Sequence, residues 1–185
     1  MAQQTFSRRF RKLHRKIKAM RIPHKIFMVT GVTLGFVLAI FLGVMVGRLF
    51  GMKVVVDGDS MAPTIEANGA VRVNKLIYKV KKPGRMDVIV FNMGKNDTSR
   101  YYVRRVVGLP GETVQIVDGT IYINDEVLEY KYNSEYIEDA GLCEEPVTLG
   151  SDEYFVIGDN YNHCEDSRFG AVGNIDKDQI VGKAG

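Results

Sequence analysis

The segment Val114-Gln-Ile-Val-Asp-Gly-Thr-Ile-Tyr-Ile123 indicates the fold class of this 185-residue chain more clearly than any other stretch. On both sides of the central dipeptide Asp118-Gly119, apolar residues of high β propensity alternate with more polar ones. Asp-Gly tolerates the positive φ angles that a two-residue hairpin turn requires. The segment therefore predicts an antiparallel β-hairpin.

The same kind of pattern extends through the rest of the chain beyond residue 50. Short runs rich in Val, Ile and Tyr are separated by turn residues, and sustained helical periodicity is absent from this part of the sequence. We expect a mainly β domain of about 130 residues, which is long enough to bury its own core. The predicted strands are 53–56, 70–78, 87–91, 101–109, 113–117, 120–123 and 154–158.

A long apolar segment precedes the predicted β domain. Ile26–Gly47 contains 22 uncharged residues, and a helix of that length rises ~33 Å, enough to cross a ~30 Å hydrocarbon core. No second long helical pattern exists to bury a helix that is apolar on every side. The segment is also longer than the apolar part of a cleaved signal peptide, ~7–15 residues. We interpret it as an uncleaved membrane anchor.

Charge is distributed very unevenly along the chain. The first fifty residues hold ten basic and no acidic side chains, whereas the remainder holds 15 basic and 22 acidic ones. Because basic flanks stay in the cytoplasm, we predict a basic cytoplasmic arm at 1–25, a transmembrane anchor at 26–47 and an exported domain at 48–185. The arm would contact anionic lipid of the bilayer. The acidic domain repels phosphate, so a nucleic-acid partner is not expected.

Cysteine and histidine usage indicates no cofactor. Cys143 and Cys164 both lie in the predicted exported domain, where a disulfide is possible but is not established by spacing. His14, His24 and His163 are scattered and form no metal-binding pattern.

A candidate nucleophile follows the anchor closely. Ser60 lies in Gly58-Asp-Ser60-Met-Ala-Pro63, within a dozen or so residues of the predicted outer end of the anchor. A serine in a constrained turn can present its hydroxyl while its own backbone N–H faces a bound carbonyl. On residue chemistry alone, an ordinary Ser/Asp turn would be the favoured interpretation of this segment.

The sequence segments that accompany Ser60 favour the catalytic interpretation. Four segments occur in order, and together with the single anchor they closely resemble the bacterial type I signal peptidases from about residue 26 to the C-terminus. The four segments are Gly58-Asp-Ser-Met-Ala-Pro-Thr-Ile65, Arg85-Met-Asp-Val-Ile-Val-Phe91, Tyr102-Val-Arg-Arg-Val-Val-Gly-Leu-Pro-Gly-Glu112 and Gly158-Asp-Asn-Tyr-Asn-His-Cys-Glu-Asp-Ser-Arg-Phe-Gly170.

This resemblance implies a fold, an activity and a set of site residues. The fold is a β domain of the signal-peptidase/LexA-like type, and the activity is that of a membrane-anchored serine endopeptidase. Such enzymes cleave signal peptides from exported preproteins after a small-x-small site, and they need no metal or cofactor. Ser60 matches the nucleophile, with Gly58 in its turn and the Ser60 N–H in the oxyanion hole. Asp166 and Arg168 match a structural ion pair, and the substrate binds as an added strand.

Two residues depart from the family pattern. Arg104 occupies the position of the family's lysine base, and Cys164 the position of a serine that helps to orient that lysine. A buried lysine can lose its proton because desolvation lowers its pKa from ~10.4, whereas arginine starts at ~12.5 or higher. Loss of a positioned base typically lowers the rate ~10²–10⁴-fold. A thiol is also a weaker hydrogen-bonding group than a hydroxyl.

Two functions therefore remain open from the sequence. The chain is either an active signal peptidase with an atypical or impaired base, or a non-catalytic member that acts as a membrane-anchored peptide-binding or assembly factor. His163 is a candidate substitute base because neutral imidazole is available near pH 7. The other exported lysines considered are expected on a solvated surface: Lys75, Lys79, Lys81 and Lys82.

The C-terminal segment carries one further expectation. The chain stops at Ile180-Val-Gly-Lys-Ala-Gly185, where relatives are expected to continue into another strand. We therefore expect a shortened edge that either weakens the sheet or leaves an unpaired strand.

Overall fold

A computed structural model describes residues 24–50, 52–56, 58–94, 100–130, 132–133 and 135–185. The chain divides into two compact units, Met1–Val46 and Gly47–Gly185, which are treated separately below. Nearly all of the predicted basic arm, residues 1–25, lies outside the described residues.

The described residues of the first unit form a long helix, α1 (His24–Phe50), which runs past the last residue of that unit, Val46. Its segment Met28–Gly47 is long and apolar enough to cross a membrane, which confirms the predicted apolar helix. Large side chains project outward on every side, and Val32, Leu34 and Phe36 expose 69% to 70% of their surface. The Thr30 hydroxyl donates a hydrogen bond to the carbonyl of Ile26 over 2.9 Å, so this polar group is satisfied within the helix.

The second unit is built from antiparallel strands in two sheets, which confirms the predicted mainly β fold. The strands, in chain order, are β1 (Met52–Val55), β2 (Ala70–Asn74), β3 (Val88–Phe91), β4 (Tyr102–Gly108), β5 (Thr113–Val117), β6 (Thr120–Ile123), β7 (Glu126–Val127), β8 (Val147–Thr148), β9 (Glu153–Ile157), β10 (Ile175–Asp176) and β11 (Ile180–Ala184). One sheet has the order β1-β2-β11-β3-β4-β9-β10, and the other has the order β7-β6-β5-β8. Helical structure here is limited, within the described residues, to α2 (Ile77–Val80) and the 3₁₀ turns Gly141–Glu144, Tyr161–His163 and Lys177–Gln179.

The hairpin predicted around Asp118-Gly119 is confirmed. Strands β5 and β6 pair directly across the turn, with Val117 opposite Thr120. Asp118 has a φ of 46° and Gly119 a φ of 69°, the two positive angles of a type I′ turn. The apolar side chains of the hairpin enter the core: Val114, Ile116, Ile121 and Ile123.

Strand β4 runs through the centre of the larger sheet. It pairs with β3 on one side and with β9 on the other, so its backbone groups are hydrogen-bonded along both edges. All of its residues after Tyr102 are buried. Among them are Arg104 and Arg105, which expose only 7% and 3% of their surface. The fold therefore forces two adjacent arginines into the interior.

Strand β2 is shorter than predicted. The sequence favours a strand over 70–78, but β2 ends at Asn74. The Asn74 side-chain oxygen accepts hydrogen bonds from the backbone N–H groups of Leu76 and Ile77, over 3.1 and 3.2 Å. This local hydrogen bonding turns the chain and starts α2, since asparagine competes with the sheet for backbone partners.

The expectation of an unpaired C-terminal strand is wrong. Strand β11 lies between β2 and β3 and pairs with both. Gly182 makes this insertion possible, because a Cβ atom at this position would lie only 2.5 Å from the carbonyl oxygen of Asn74. The last residues of the chain are thus part of the sheet interior.

We expect Gly182→Ala to lower the free energy of unfolding by about 1–3 kcal/mol, because the added methyl group must push the β2 backbone aside. Urea unfolding in detergent, followed by far-UV circular dichroism, measures this change. Gly170→Ala is the matched control, since nothing lies within 4 Å of a Cβ there, and a change below about 0.5 kcal/mol is expected. Equal effects of the two substitutions would contradict the steric explanation.

Candidate active site

Ser60 is held in a tight turn that follows β1. Gly58 has a φ of 64°, a left-handed conformation that glycine adopts without strain. The backbone N–H of Ala62 donates to the carbonyl of Asp59 over 2.8 Å and closes the turn. The next side chain, Met61, is fully buried in the core. These contacts fix the position of Ser60, which exposes only 4% of its surface.

The segment after β9 is hydrogen-bonded to the Ser60 turn. The backbone N–H of Asn160 donates to the Ser60 carbonyl over 3.1 Å, and its side-chain amide donates to the Asp59 carbonyl over 3.3 Å. Gly158 allows this approach, because a Cβ atom there would lie 2.6 Å from the Ser60 carbonyl oxygen and 2.4 Å from the Cys164 sulfur. The first and last of the four sequence segments therefore meet at Ser60.

Arg104 contacts Ser60 directly. Its Nη1 donates to Ser60 Oγ over 3.0 Å and to the Val103 carbonyl over 2.7 Å. Its Nε and Nη2 donate to the Glu165 carbonyl over 2.9 and 2.7 Å. The geometry joins the two predicted catalytic positions, but a guanidinium group has donors and no acceptor, so it cannot take the hydroxyl proton at neutral pH.

Cys164 lies beside the site with its thiol directed to a carboxylate. Its Sγ donates to Asp166 Oδ2 over 3.0 Å. Burial, assisted by the charge and the hydrogen bond of Asp166, raises the pKa of the Cys164 thiol to about 12. The thiol is therefore neutral at pH 7 and a poor nucleophile. Both Cys143 and Cys164 are free, so the disulfide that the sequence left open is not formed.

Asp166 and Arg168 contact each other as the resemblance implies. Arg168 Nε lies 2.9 Å from Asp166 Oδ1, and Nη2 lies 3.0 Å from Oδ2, with both side chains almost completely buried. Asp166 also accepts a hydrogen bond from the backbone N–H of Gly158 over 3.1 Å. Arg168 donates to the Asp139 carbonyl over 2.9 Å. The pair holds the segment that carries Cys164 against β9.

A second buried ion pair was not identified from the sequence. Arg105 donates to both carboxylate oxygens of Asp159, over 2.8 Å from Nε and 2.6 Å from Nη2. The Tyr130 hydroxyl also donates to Asp159, and the Tyr132 ring lies 3.4 Å from the Arg105 guanidinium carbon. The sequence did contain an indication of this pair. Arg105 lies in an apolar predicted strand and Asp159 follows Gly158 directly, and a charged residue that is buried needs a partner of opposite charge.

Ser60 lines a cleft of about 200 Å³. Arg104, Cys164 and Glu165 form part of its wall, together with Tyr101 and Val103 of the segment leading into and along β4. His163 also lines this cleft, is exposed, and has its Nδ1 3.3 Å from the side-chain oxygen of Asn160.

The alternative bases and ligands occupy other places. Lys79, Lys81 and Lys82 are exposed and Lys75 is half-buried, and none of the four lines the cleft that contains Ser60. Within the described ranges, no group of three or more His, Cys, Asp or Glu side chains is arranged to hold a metal ion.

Comparison with known proteins extends the resemblance over most of the chain. The family model described as "Signal peptidase, peptidase S26" matches residues 29–185. The chain is 35% identical over 154 residues to signal peptidase I T of Bacillus subtilis (strain 168), covering 79% of this chain and 78% of that protein. It is 36% identical over 153 residues to signal peptidase I P of Bacillus subtilis subsp. natto, covering 79% and 81%. A crystal structure of a signal peptidase I from Enterococcus faecalis V583 aligns with a TM-score of 0.44 and 31% identity, covering 56% of this chain and 97% of that one.

We expect Asp159→Asn to lower the free energy of unfolding by about 3–5 kcal/mol, because the neutral amide leaves the Arg105 charge buried without its partner. Urea unfolding in detergent measures the loss. Asp125→Asn makes the same chemical change at an exposed position and is expected to cost less than about 0.5 kcal/mol. A loss of similar size in both variants would show that the buried pair does not contribute as argued.

Proposed function

The chain belongs to the signal peptidase family, peptidase S26, and from that premise we propose that it cleaves exported preproteins after a small-x-small site with Ser60 as nucleophile. Its relatives in that family support a membrane-associated serine peptidase that acts on signal peptides. The choice of Ser60, the small-residue preference and the topology are parts of our proposal. The observation that carries the choice of Ser60 is its 3.0 Å hydrogen bond with Arg104 Nη1, because it joins the two positions that match the family's nucleophile and base.

The proposed chemistry begins with attack of Ser60 Oγ on the carbonyl carbon of the scissile peptide bond. The hydroxyl proton passes to a base, for which His163 in the same cleft is the candidate, and then to the amine that leaves as the bond breaks. The backbone N–H of Ser60, in the turn started by Gly58, would stabilise the developing oxyanion. Cys164 and Arg168 support the site by donating hydrogen bonds to Asp166, which in turn accepts from the backbone N–H of Gly158 beside the Ser60 turn. We propose no metal or other cofactor, since a serine, a base and hydrogen-bond donors are sufficient for acyl transfer.

The membrane arrangement follows from the helix and the charges. We propose that residues 1–25 remain in the cytoplasm, that residues 26–47 span the bilayer, and that residues 48–185 form the peptidase domain on the outer face of the cytoplasmic membrane. The apolar surface of α1 and the basic flank before it support this topology. The anchor would tether the peptidase domain to the membrane across which signal peptides are translocated.

Arg104 supports a second candidate function. A charged guanidinium donates to Ser60 Oγ and cannot accept its proton, so the resting site holds no base at this position. The chain would then be a catalytically impaired member that acts as a membrane-anchored peptide-binding or assembly factor. His163, which lines the same cleft, is the remaining candidate base for the active alternative.

Cleavage of a preprotein by the intact chain in detergent or proteoliposomes separates the two candidates. Ser60→Ala is the control, because it removes only the nucleophilic oxygen. Cleavage that disappears in Ser60→Ala supports the peptidase. No cleavage by either protein favours the binding factor, and cleavage that persists in Ser60→Ala would contradict the assignment of the nucleophile.

We expect Arg104→Lys to raise the cleavage rate at least tenfold, because a buried lysine can be neutral and can accept the Ser60 proton. Initial rates on a signal-peptide substrate over a range of pH measure the effect. Arg72→Lys is the matched control, since it makes the same change on the exposed face of β2 and should leave the rate unaltered. Comparable rates for Arg104→Lys and the unmodified chain would refute a base defect at position 104.

A further inference from the structure

Arg104 is a buried arginine of the site that has no carboxylate partner among the residues that the structure describes. Arg105 and Arg168 each form a buried ion pair, with Asp159 and Asp166 respectively. Within the described ranges, no carboxylate oxygen lies within 4.0 Å of a side-chain nitrogen of Arg104. Its hydrogen bonds go to two backbone carbonyls and the Ser60 hydroxyl, which are neutral. Arg104 is 93% buried, and a buried charge without a counter-ion carries an uncompensated desolvation cost. An anion that reaches the guanidinium should therefore bind it favourably.

The cleft beside Ser60 gives an anion access to this guanidinium. Arg104 lines the cleft together with a second cation, Arg100. The acidic residue in the wall is Glu165, but its backbone carbonyl accepts from Arg104 and its side chain belongs to an exposed residue. Nη2 of Arg104 uses one of its two N–H groups on that carbonyl, so another donor is available to a ligand.

We propose that Arg104 binds the C-terminal carboxylate of a peptide in this cleft, next to Ser60. The inference rests on the proposed function because hydrolysis at Ser60 creates such a group at this place. Attack by Ser60 Oγ breaks the peptide bond, releases the second fragment as an amine and leaves the acyl carbon bound to Oγ as an ester. Water then hydrolyses this ester, which restores the Ser60 hydroxyl and leaves a carboxylate on the acyl carbon. That carbon is bound beside Oγ, and Oγ lies 3.0 Å from Arg104 Nη1.

The consequence is retention of a cleaved or trimmed peptide. A neutral lysine at position 104 offers no fixed charge to a carboxylate, whereas a guanidinium is always charged and presents planar N–H groups that suit a carboxylate. The departure from the family pattern therefore changes which ligand the site prefers. The intact substrate has a neutral amide at the scissile position, and the product has an anion there.

Fluorescence anisotropy with a matched pair of labelled peptides tests the proposal on the full chain in detergent. Both peptides end in Ala-Gln-Ala, one with a free carboxylate and the other with a carboxamide. We expect the carboxylate form to bind at least tenfold more tightly, and we expect Arg104→Gln to bring the two affinities within about twofold. Arg72→Gln removes an exposed arginine outside the cleft and should leave the ratio unchanged.

The two affinities are compared within each protein. An unfolded fraction of that protein therefore lowers the apparent binding of both peptides equally and leaves their ratio unchanged. Should Arg104→Gln fail to fold, hydrogen exchange on the unmodified chain replaces it. The carboxylate peptide is expected to protect residues 158–168 more than the carboxamide does. Equal affinities, no binding of either peptide, or equal protection would overturn the inference. These binding results are independent of the cleavage assay with Ser60→Ala. If the chain prefers the carboxylate peptide but cleaves no preprotein, the proposed peptidase activity is refuted and the carboxylate site is retained.

Discussion

The buried ion pair between Arg105 and Asp159 is the interaction on which the geometry around Ser60 depends. Asp159 is fully buried and lies between Gly158 and Asn160. Asn160 donates to the Ser60 carbonyl, and Gly158 leaves room for that carbonyl to approach. Arg105, in the central strand β4, donates hydrogen bonds to both carboxylate oxygens of Asp159. This pairing positions Gly158 and Asn160 and, through them, the Ser60 turn.

The adjacent residues Arg104 and Arg105 of β4 have different environments, because successive side chains of a strand point to opposite faces of the sheet. Arg105 faces Asp159 and Tyr132, so its charge is balanced and its role is structural. Arg104 faces Ser60 and the Glu165 carbonyl, so no carboxylate in the described part of the chain balances its charge, which affects the chemistry of the cleft. One step along the strand thus separates an arginine that stabilises the domain from one that alters its reactive site.

Sequence patterns succeeded where the deciding interactions are local. The turn chemistry of Asp118-Gly119 and the unbroken apolar run of α1 both act within a few residues, and both predictions are confirmed. The prediction failed at Asn74, where a side chain takes backbone donors away from a strand that β propensity would extend. It failed again for β11, whose two neighbours come from residues far away in the chain.

The sequence alone determined the fold class, the apolar helix and, through four short segments, the family. It also revealed the arginine at position 104, because residue identity needs no coordinates. Only the tertiary structure decided which charges are balanced, since pairing depends on distances between β4 and the segment after β9. The contact of Arg104 with Ser60, the pairing of Arg105 with Asp159 and the direction of the Cys164 thiol all arise from that long-range packing.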